Sequence, residues 1–171
     1  NKDTKRFQKM NGKYSFIIAK PNETKSGTSI VVTQSDIREI QLAKAAIYTG
    51  CSTLMRKRNI PIDLINKIFV AGAFGNYLNI ENAITIGLLP DVPLSKIEFV
   101  GNAAGSGAIM SLISKEEREK AGEVARRTKY VELAIDPNFH MELAASMYLP
   151  HKNLNEFPTV KKILEKRGLL K

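Results

Sequence analysis

Two segments of this chain share a pattern that few folds accommodate: a short apolar strand ends in small residues and leads directly into a helix. The first is "KIFVAGAFGN" at 67–76, and the second is "KIEFVGNAAGSG" at 96–107. Small residues after a strand let the backbone approach a ligand closely, and a helix N-terminus favours an anion. Two such turns on successive strands predict a ligand across the strand ends. For either turn alone, close packing of helix on sheet is the alternative.

The rest of the pattern predicts an α/β protein. "KYSFIIA" at 13–19 and "TSIVVT" at 28–33 predict an antiparallel hairpin, and "KYVELAI" at 129–135 predicts a further strand. Thr33 and Asp36 resemble a capping box that opens a long helix to about Arg58. Further helices are predicted at about 79–88, 102–114, 115–127, 137–149 and 158–167. Strands that alternate with helices after a hairpin predict a mixed sheet with helices on both faces.

The long helix carries apolar residues at steps of three and four, which predict one buried stripe. Its members are Ile37, Ile40, Ala43, Ile47, Cys51 and Leu54. Cys51 is therefore interpreted as a core residue rather than a reactive thiol. As the only cysteine, it cannot form an internal disulfide, and this chain alone cannot ligate an iron-sulfur cluster or a cysteine-rich zinc site.

The formal charge of +9 is concentrated at the two ends of the chain. Residues 1–25 carry seven basic against two acidic side chains, 152–171 carry six against two, and 26–151 carry thirteen of each. We interpret the two basic ends as flexible, solvated tails. The alternative is a basic arm that docks an acidic protein. No basic face is interleaved with aromatic residues, so no nucleic-acid partner is predicted.

The apolar runs are short, and the first residues lack the apolar core of a signal peptide, so we expect a cytoplasmic protein without a membrane partner. Its 171 residues fit one domain, 1–171. The start without Met, within a polar stretch, suggests a fragment of a longer protein. His140 and His151 cannot meet at one metal ion, because Pro150 ends the helix that would carry them.

Four segments in order resemble the C-terminal ATPase region of the reductive activators of corrinoid proteins. They begin "VVTQSDIREIQLAKAAI", "KIFVAGAFGNYLNIENAI", "IEFVGNAAGSGAI" and "YVELAIDPNFHMELAA". The resemblance implies the ribonuclease-H-like, actin-like fold of the ASKHA ATPases. It also implies that ATP drives an electron from an iron-sulfur domain onto a Co(II) corrinoid, restoring Co(I). The implied partner is a corrinoid protein or a corrinoid-dependent methyltransferase, and a homodimer is compatible with the family.

The resemblance assigns nucleotide-facing residues at the first turn. "IFVAGAFGN" resembles the adenosine motif, a strand followed by small residues that lie against the purine and ribose. The residues at these positions are Gly72, Ala73, Phe74 and Gly75.

Two further segments resemble other motifs of the family. In "EIQLAKAAI", Gln41 and Lys44 stand where an acid and a lysine flank the adenine in chaperones, and a solvated helix lysine is the alternative for Lys44. "VGNAAGSGAI" resembles the second connecting helix, whose small residues allow two helices to cross at the hinge. The resemblance implies that Gly101, Ala104, Gly105 and Gly107 matter for closure of this hinge rather than for direct chemistry, with ordinary tight packing as the alternative. Gly101 and Gly105 are counted among the cofactor-binding residues.

The phosphate-binding motifs of this fold need an aspartate followed two residues later by glycine, and no aspartate here meets that requirement. ATP with Mg²⁺ is therefore expected in the full-length protein, with the phosphate half and the iron-sulfur cluster outside this chain. No catalytic residue is assigned, and the isolated chain is expected to bind adenine nucleotides weakly without hydrolysing them. The alternative function is a non-catalytic, actin-like module for regulation or partner docking.

Overall fold

In the computed structural model, which describes residues 6–10, 12–72 and 77–170, the predicted capping box opens helix α1, Gln34–Lys57. The Thr33 N–H donates to Asp36 Oδ2 at 2.7 Å, and the Asp36 N–H donates to Thr33 Oγ1 at 3.2 Å. N–H groups at the start of a helix have no hydrogen-bond partner within the helix, and these two reciprocal bonds satisfy two of them. The predicted start of the long helix is confirmed.

The chain forms two compact units, residues 1–43 and 44–171, and the boundary falls within α1. The described part of the first unit contains an antiparallel sheet in the order β1-β2-β3. Its strands are β1 (Phe7–Met10), β2 (Lys13–Ala19) and β3 (Ile30–Thr33). The predicted hairpin is confirmed, because β2 pairs with β3 from Ser15↔Thr33 onwards. The pattern of the sequence did not indicate β1.

The second unit is built around two parallel strands and several helices. The strands are β4 (Ile68–Ala71) and β5 (Ile97–Gly101), with Ile68 opposite Ile97. The helices are α2 (Ile80–Thr85), α3 (Ala103–Ile113), α4 (Lys115–Arg127), α5 (Phe139–Ser146) and α6 (Pro158–Lys166). The α/β class is confirmed, and the described strands are distributed over two sheets, one antiparallel and one parallel.

The core of the second unit joins α1, α2, β5 and α6. It contains Tyr48, Ala83, Ile84, Leu89, Val92, Ile97, Phe157 and Val160. The prediction of a flexible basic C-terminal tail is therefore wrong, because Phe157 and Val160 anchor α6 in this core. At the other end, most of the described residues up to 25 lie in β1, β2 and a short 3₁₀ turn at Pro21–Glu23, so this part is not a tail either.

The predicted apolar stripe of α1 is wrong. Ile37, Ile40, Ile47 and Leu54 are exposed, and Cys51 is half-buried. The buried residues of α1 are instead Lys44, Ala45, Tyr48, Thr49 and Thr53, all in the second unit. This face of α1 is buried because the Tyr48 ring packs against Phe157, with ring centroids 5.1 Å apart. Periodicity identified a helix but selected the wrong side of it.

The strand predicted at 129–135 is also wrong, because this segment has no regular secondary structure. Tyr130 and Ile135 in this segment are exposed, and Val131 and Leu133 are half-buried. A turn follows, in which Asp136 N–H donates to the Leu133 carbonyl and Phe139 N–H donates to the Asp136 carbonyl. The next helix, α5, starts two residues later than predicted and ends at Ser146.

None of the helices in the described ranges is long and apolar enough to cross a membrane. The assignment of residues 1–171 to one domain stays a prediction.

Candidate functional site

The two strand-to-glycine turns lie side by side at the carboxyl ends of β4 and β5. Ala71 is opposite Gly101 in the parallel register, and the Gly72 N–H donates to the Gly101 carbonyl at 2.7 Å. Gly72 and Gly101, predicted from separate segments, are therefore direct neighbours. In parallel α/β sheets this edge is where ligands bind.

Both glycines have backbone conformations that other residues seldom adopt. Gly72 has φ +96° and Gly101 has φ +61°. No described atom lies within 4 Å of the place where a Cβ would stand on either residue. Among the described residues nothing covers the backbone at these two glycines, so a ligand could approach it closely there.

Gly105 has a different, local role. The Asn102 side chain caps α3, because its Oδ1 accepts a hydrogen bond from the Gly105 N–H at 3.0 Å. A Cβ on Gly105 would stand 2.5 Å from Asn102 Nδ2, so this glycine makes room for the cap. Asn102 was predicted as the first residue of the helix at 102–114 and is instead its N-cap, a position where asparagine is common.

The centre of the predicted adenosine motif lies outside the described residues, since Ala73, Phe74 and Gly75 belong to 73–76. The chain beyond it is anchored. Asn79 caps α2 by accepting a hydrogen bond from the Asn82 N–H at 2.9 Å, and Leu78 packs against the core.

Lys44 is buried with 1% exposure, so the alternative of a solvated helix lysine is wrong. Its Nζ donates to the Pro150 carbonyl at 2.5 Å and also to the Tyr148 carbonyl. Burial lowers the pKa of the Lys44 ammonium to about 8, because desolvation disfavours the charged form. The other adenine-flanking candidate, Gln41, is half-buried in the first unit.

Several buried polar groups belong to the same two segments as Lys44 and its acceptors, namely α1 and residues 146–151. Four side-chain atoms have no hydrogen-bond partner among the described residues: Thr49 Oγ1, Thr53 Oγ1, Ser146 Oγ and His151 Nε2. The Asn153 N–H lies 3.0 Å from His151 Nδ1, and His151 Nε2 lies 3.8 Å from Glu142 Oε1. The sequence pattern did not indicate this polar interior.

A groove of about 470 Å³ lies between α2, the loop at 91–94 and α6. The Asp91 carboxylate in its wall accepts a hydrogen bond from the Thr159 N–H at 2.7 Å, near the start of α6. None of the predicted site residues lines this groove. It is therefore separate from the set of residues assigned by the resemblance.

Of the cofactors that the resemblance implies, the residues of this chain fit the nucleoside part of ATP but not an iron-sulfur cluster. The bare turns at Gly72 and Gly101 fit the nucleoside part of a nucleotide. The chain lacks the thiolates for an iron-sulfur cluster, because Cys51 is its single cysteine and burial raises the pKa of that thiol. No group of three or more potential metal ligands occurs within residues 6–10, 12–72 and 77–170.

Comparisons with known proteins identify a family and two relatives that each match most of this chain. A family profile described as the C-terminal domain of RACo, the ASKHA domain, matches residues 1–161. The corrinoid activation enzyme RamQ of Eubacterium limosum is 44% identical over 129 residues, which are 75% of this chain and 22% of RamQ. A solved structure titled reductive activator for corrinoid, iron-sulfur protein matches 92% of this chain with a TM-score of 0.83 and 36% identity.

The match to the solved structure covers 25% of that protein's chain. This chain therefore spans about a quarter of the length of either relative. The actin-like fold expected from the sequence is confirmed by the family profile and by the structural match.

Proposed function

Because the chain belongs to the family of C-terminal ASKHA domains of corrinoid reductive activators, we propose that it is the ATP-binding subdomain of such an activator. In the full-length protein, ATP hydrolysis is coupled to the transfer of one electron from a reduced iron-sulfur cluster to a Co(II) corrinoid. The cluster is oxidised by one electron and cobalt is reduced to Co(I). The names of the two relatives support this role.

The observation that carries the proposal is the pairing of Gly72 with Gly101. Their hydrogen bond joins the carboxyl ends of two parallel strands, and both have positive φ with open space above the backbone. The purine base of a nucleoside is flat, and backbone without a Cβ allows it to approach closely. We therefore assign the nucleoside edge of the site to this pair and to the motif residues Ala73, Phe74 and Gly75. Gly105 stays in the proposal through the α3 cap that it makes room for, because the capping residue Asn102 directly follows Gly101.

The role of this chain is to bind and orient the nucleoside. No aspartate is followed two residues later by glycine, so the triphosphate and Mg²⁺ are held by residues outside this chain. Lys44 and Gln41 remain in the proposal as adenine-flanking residues. For Lys44 this requires that the side chain leave two backbone carbonyls, which makes it the weaker member of the set.

The proposed partner is a corrinoid protein or a corrinoid-dependent methyltransferase, whose Co(II) form is the substrate of activation. Self-association into a homodimer and a cytoplasmic location are further parts of this proposal.

The test is calorimetric titration of the full-length protein with a non-hydrolysable ATP analogue, comparing Gly72→Ala with Gly27→Ala. Gly27 has φ +67° and equally open Cβ space, so both variants carry the same kind of strain, about 1–2 kcal/mol for left-handed backbone. We expect Gly72→Ala to bind at least tenfold more weakly than wild type, roughly 1.4 kcal/mol. Gly27→Ala should bind like wild type.

Equal affinities of the two variants would mean that the turn serves packing alone. Absence of binding by the wild type would favour the non-catalytic docking module. The coupling itself is measured by the absorbance change from Co(II) to Co(I) in the corrinoid protein, with and without ATP.

A further inference from the structure

The groove between α2, the loop at 91–94 and α6 combines an apolar lining with charged groups. Its volume of about 470 Å³ is in the range of ligand-binding clefts. Val92 and Val160 in the lining belong to the core and are buried, whereas Leu94 and Ile163 are exposed at 46% and 39%. The groove therefore keeps apolar surface open to water next to the core, which is a feature of interaction sites.

The charged groups of the groove stand at different places along α6. The Asp91 carboxylate accepts a hydrogen bond from the Thr159 N–H at 2.7 Å, so it lies at the start of this helix. Arg167 directly follows the last residue of α6, about 12 Å along the helix axis from Thr159. Glu81 adds a second carboxylate on the α2 wall. The groove thus presents a carboxylate near one end of α6 and a guanidinium at the other.

These charges are available to a ligand. Within the described ranges, Glu81, Asp91 and Arg167 take part in no ion pair. Asp91 uses Oδ2 for the Thr159 N–H, and its Oδ1 has no hydrogen-bond partner among the described residues. A ligand with a positive and a negative group would find an opposite charge at each end, and such complementarity fixes the orientation of a bound chain.

An extended peptide advances about 3.3 Å per residue, so two residues about four positions apart span the distance between the two ends. The apolar side chains between them would cover the exposed parts of Leu94 and Ile163. We propose that this groove binds an extended segment of a partner protein, in which a basic and an acidic residue flank about three apolar residues. The described nucleotide-site residues do not line the groove, so this interaction is separate from ATP binding.

The experiment is fluorescence anisotropy of the full-length protein with two pools of labelled, end-capped peptides. In the mixed-charge pool, an arginine and a glutamate flank three randomised apolar residues, and in the neutral pool both are replaced by glutamine. We expect the mixed-charge pool to bind at least about fivefold more tightly than the neutral pool. Equal affinities of the two pools, or no binding of either, would overturn the proposal.

Charge reversal at one end tests the position of the segment. Arg167→Glu should weaken binding of the mixed-charge pool about tenfold, and it should bind a pool flanked by two arginines more tightly than wild type does. The matched control is Lys162→Glu, which makes the same charge change at an exposed position of α6 outside the groove and should bind like wild type. Equal losses in the two variants would mean unspecific attraction and would also overturn the assignment.

A second copy of this chain is the other candidate occupant, and sedimentation of the full-length protein distinguishes it. A dimer that Arg167→Glu dissociates, together with no binding of either peptide pool by wild type, would replace the peptide site by a self-association surface. Because Arg167 is exposed, the variant should unfold at nearly the wild-type urea concentration. It should also bind the non-hydrolysable ATP analogue like wild type, so failure of this inference and failure of the nucleotide site are read separately.

Discussion

The Lys44 ammonium donates a hydrogen bond to the carbonyl of Pro150 at 2.5 Å, across 106 residues of sequence. The neighbouring Tyr148 carbonyl accepts a second bond from the same nitrogen. A buried charge is tolerated only when polar partners compensate its lost hydration. Lys44 therefore ties α1 to the segment that follows α5.

Replacement of Lys44 by methionine should destabilise the protein. The apolar chain keeps its length, but two backbone carbonyls lose their donor, and we expect a loss of about 2–4 kcal/mol. The measurement is urea unfolding followed by circular dichroism. Lys162→Met, at an exposed position of α6, is the control and should change stability by less than about 0.5 kcal/mol. Equal stability of the two variants would show that the buried bonds contribute nothing.

The pH dependence of stability should reveal the same lysine. Its pKa is about 8 in the folded protein and 10.5 in a free chain, so between these values the unfolded state binds more protons. The free energy of unfolding therefore rises with pH in this window. We expect wild type to gain stability relative to Lys44→Met between pH 8 and 9.5, with a constant difference below pH 7. A difference that stays constant up to pH 9.5 would contradict the lowered pKa.

Asp136 should make the protein sensitive to acid. The backbone N–H of Asn138 holds its pKa below the usual value, and the charges of Arg56 and Lys57 add to this effect. The Arg56 Nη2 lies 2.9 Å from Asp136 Oδ1. Because the folded pKa is lowered, this stabilisation is present above the unfolded pKa of 3.8 and is lost as pH falls through the folded value.

Asp136→Asn should therefore be less stable than wild type at pH 7, and the difference should shrink as the pH falls below about 4. Thermal unfolding at several pH values measures this. Asp63→Asn is the control, because Asp63 is exposed and its carboxylate forms no ion pair with another described residue. An unchanged acid profile for Asp136→Asn would rule out the ion pairs as a source of stability.

The two glycines of α3 should respond differently to alanine. Gly107 has open space at its Cβ position, so Gly107→Ala should stabilise the protein by about 0.5–1 kcal/mol through helix propensity. Gly105→Ala gains the same propensity but displaces the Asn102 side chain, and loss of an N-cap costs about 1 kcal/mol. We expect Gly105→Ala to be about 1 kcal/mol less stable than Gly107→Ala in urea unfolding. Identical midpoints would mean that the cap survives a methyl group at position 105.

Features that depend on residues three or four apart were predictable from the sequence. The Thr33 and Asp36 capping box and the bounds of α4 at Lys115–Arg127 are such cases, and the bounds of β2 at Lys13–Ala19 follow from the composition of a short strand. The two strand-to-glycine turns were also predictable. Here the local requirement is a residue without a side chain, and only glycine meets it readily at positive φ.

Contacts between distant segments decided the rest. A lysine on a helix is normally solvated, and nothing near position 44 indicates that Tyr148 and Pro150 present their carbonyls to it. The stretch at 129–135 has the composition of a strand, but a strand needs a neighbour to pair with, and composition cannot supply one. Likewise the side of α1 that is buried follows from where Phe157 packs, because burial is a property of the assembled core and not of a single helix.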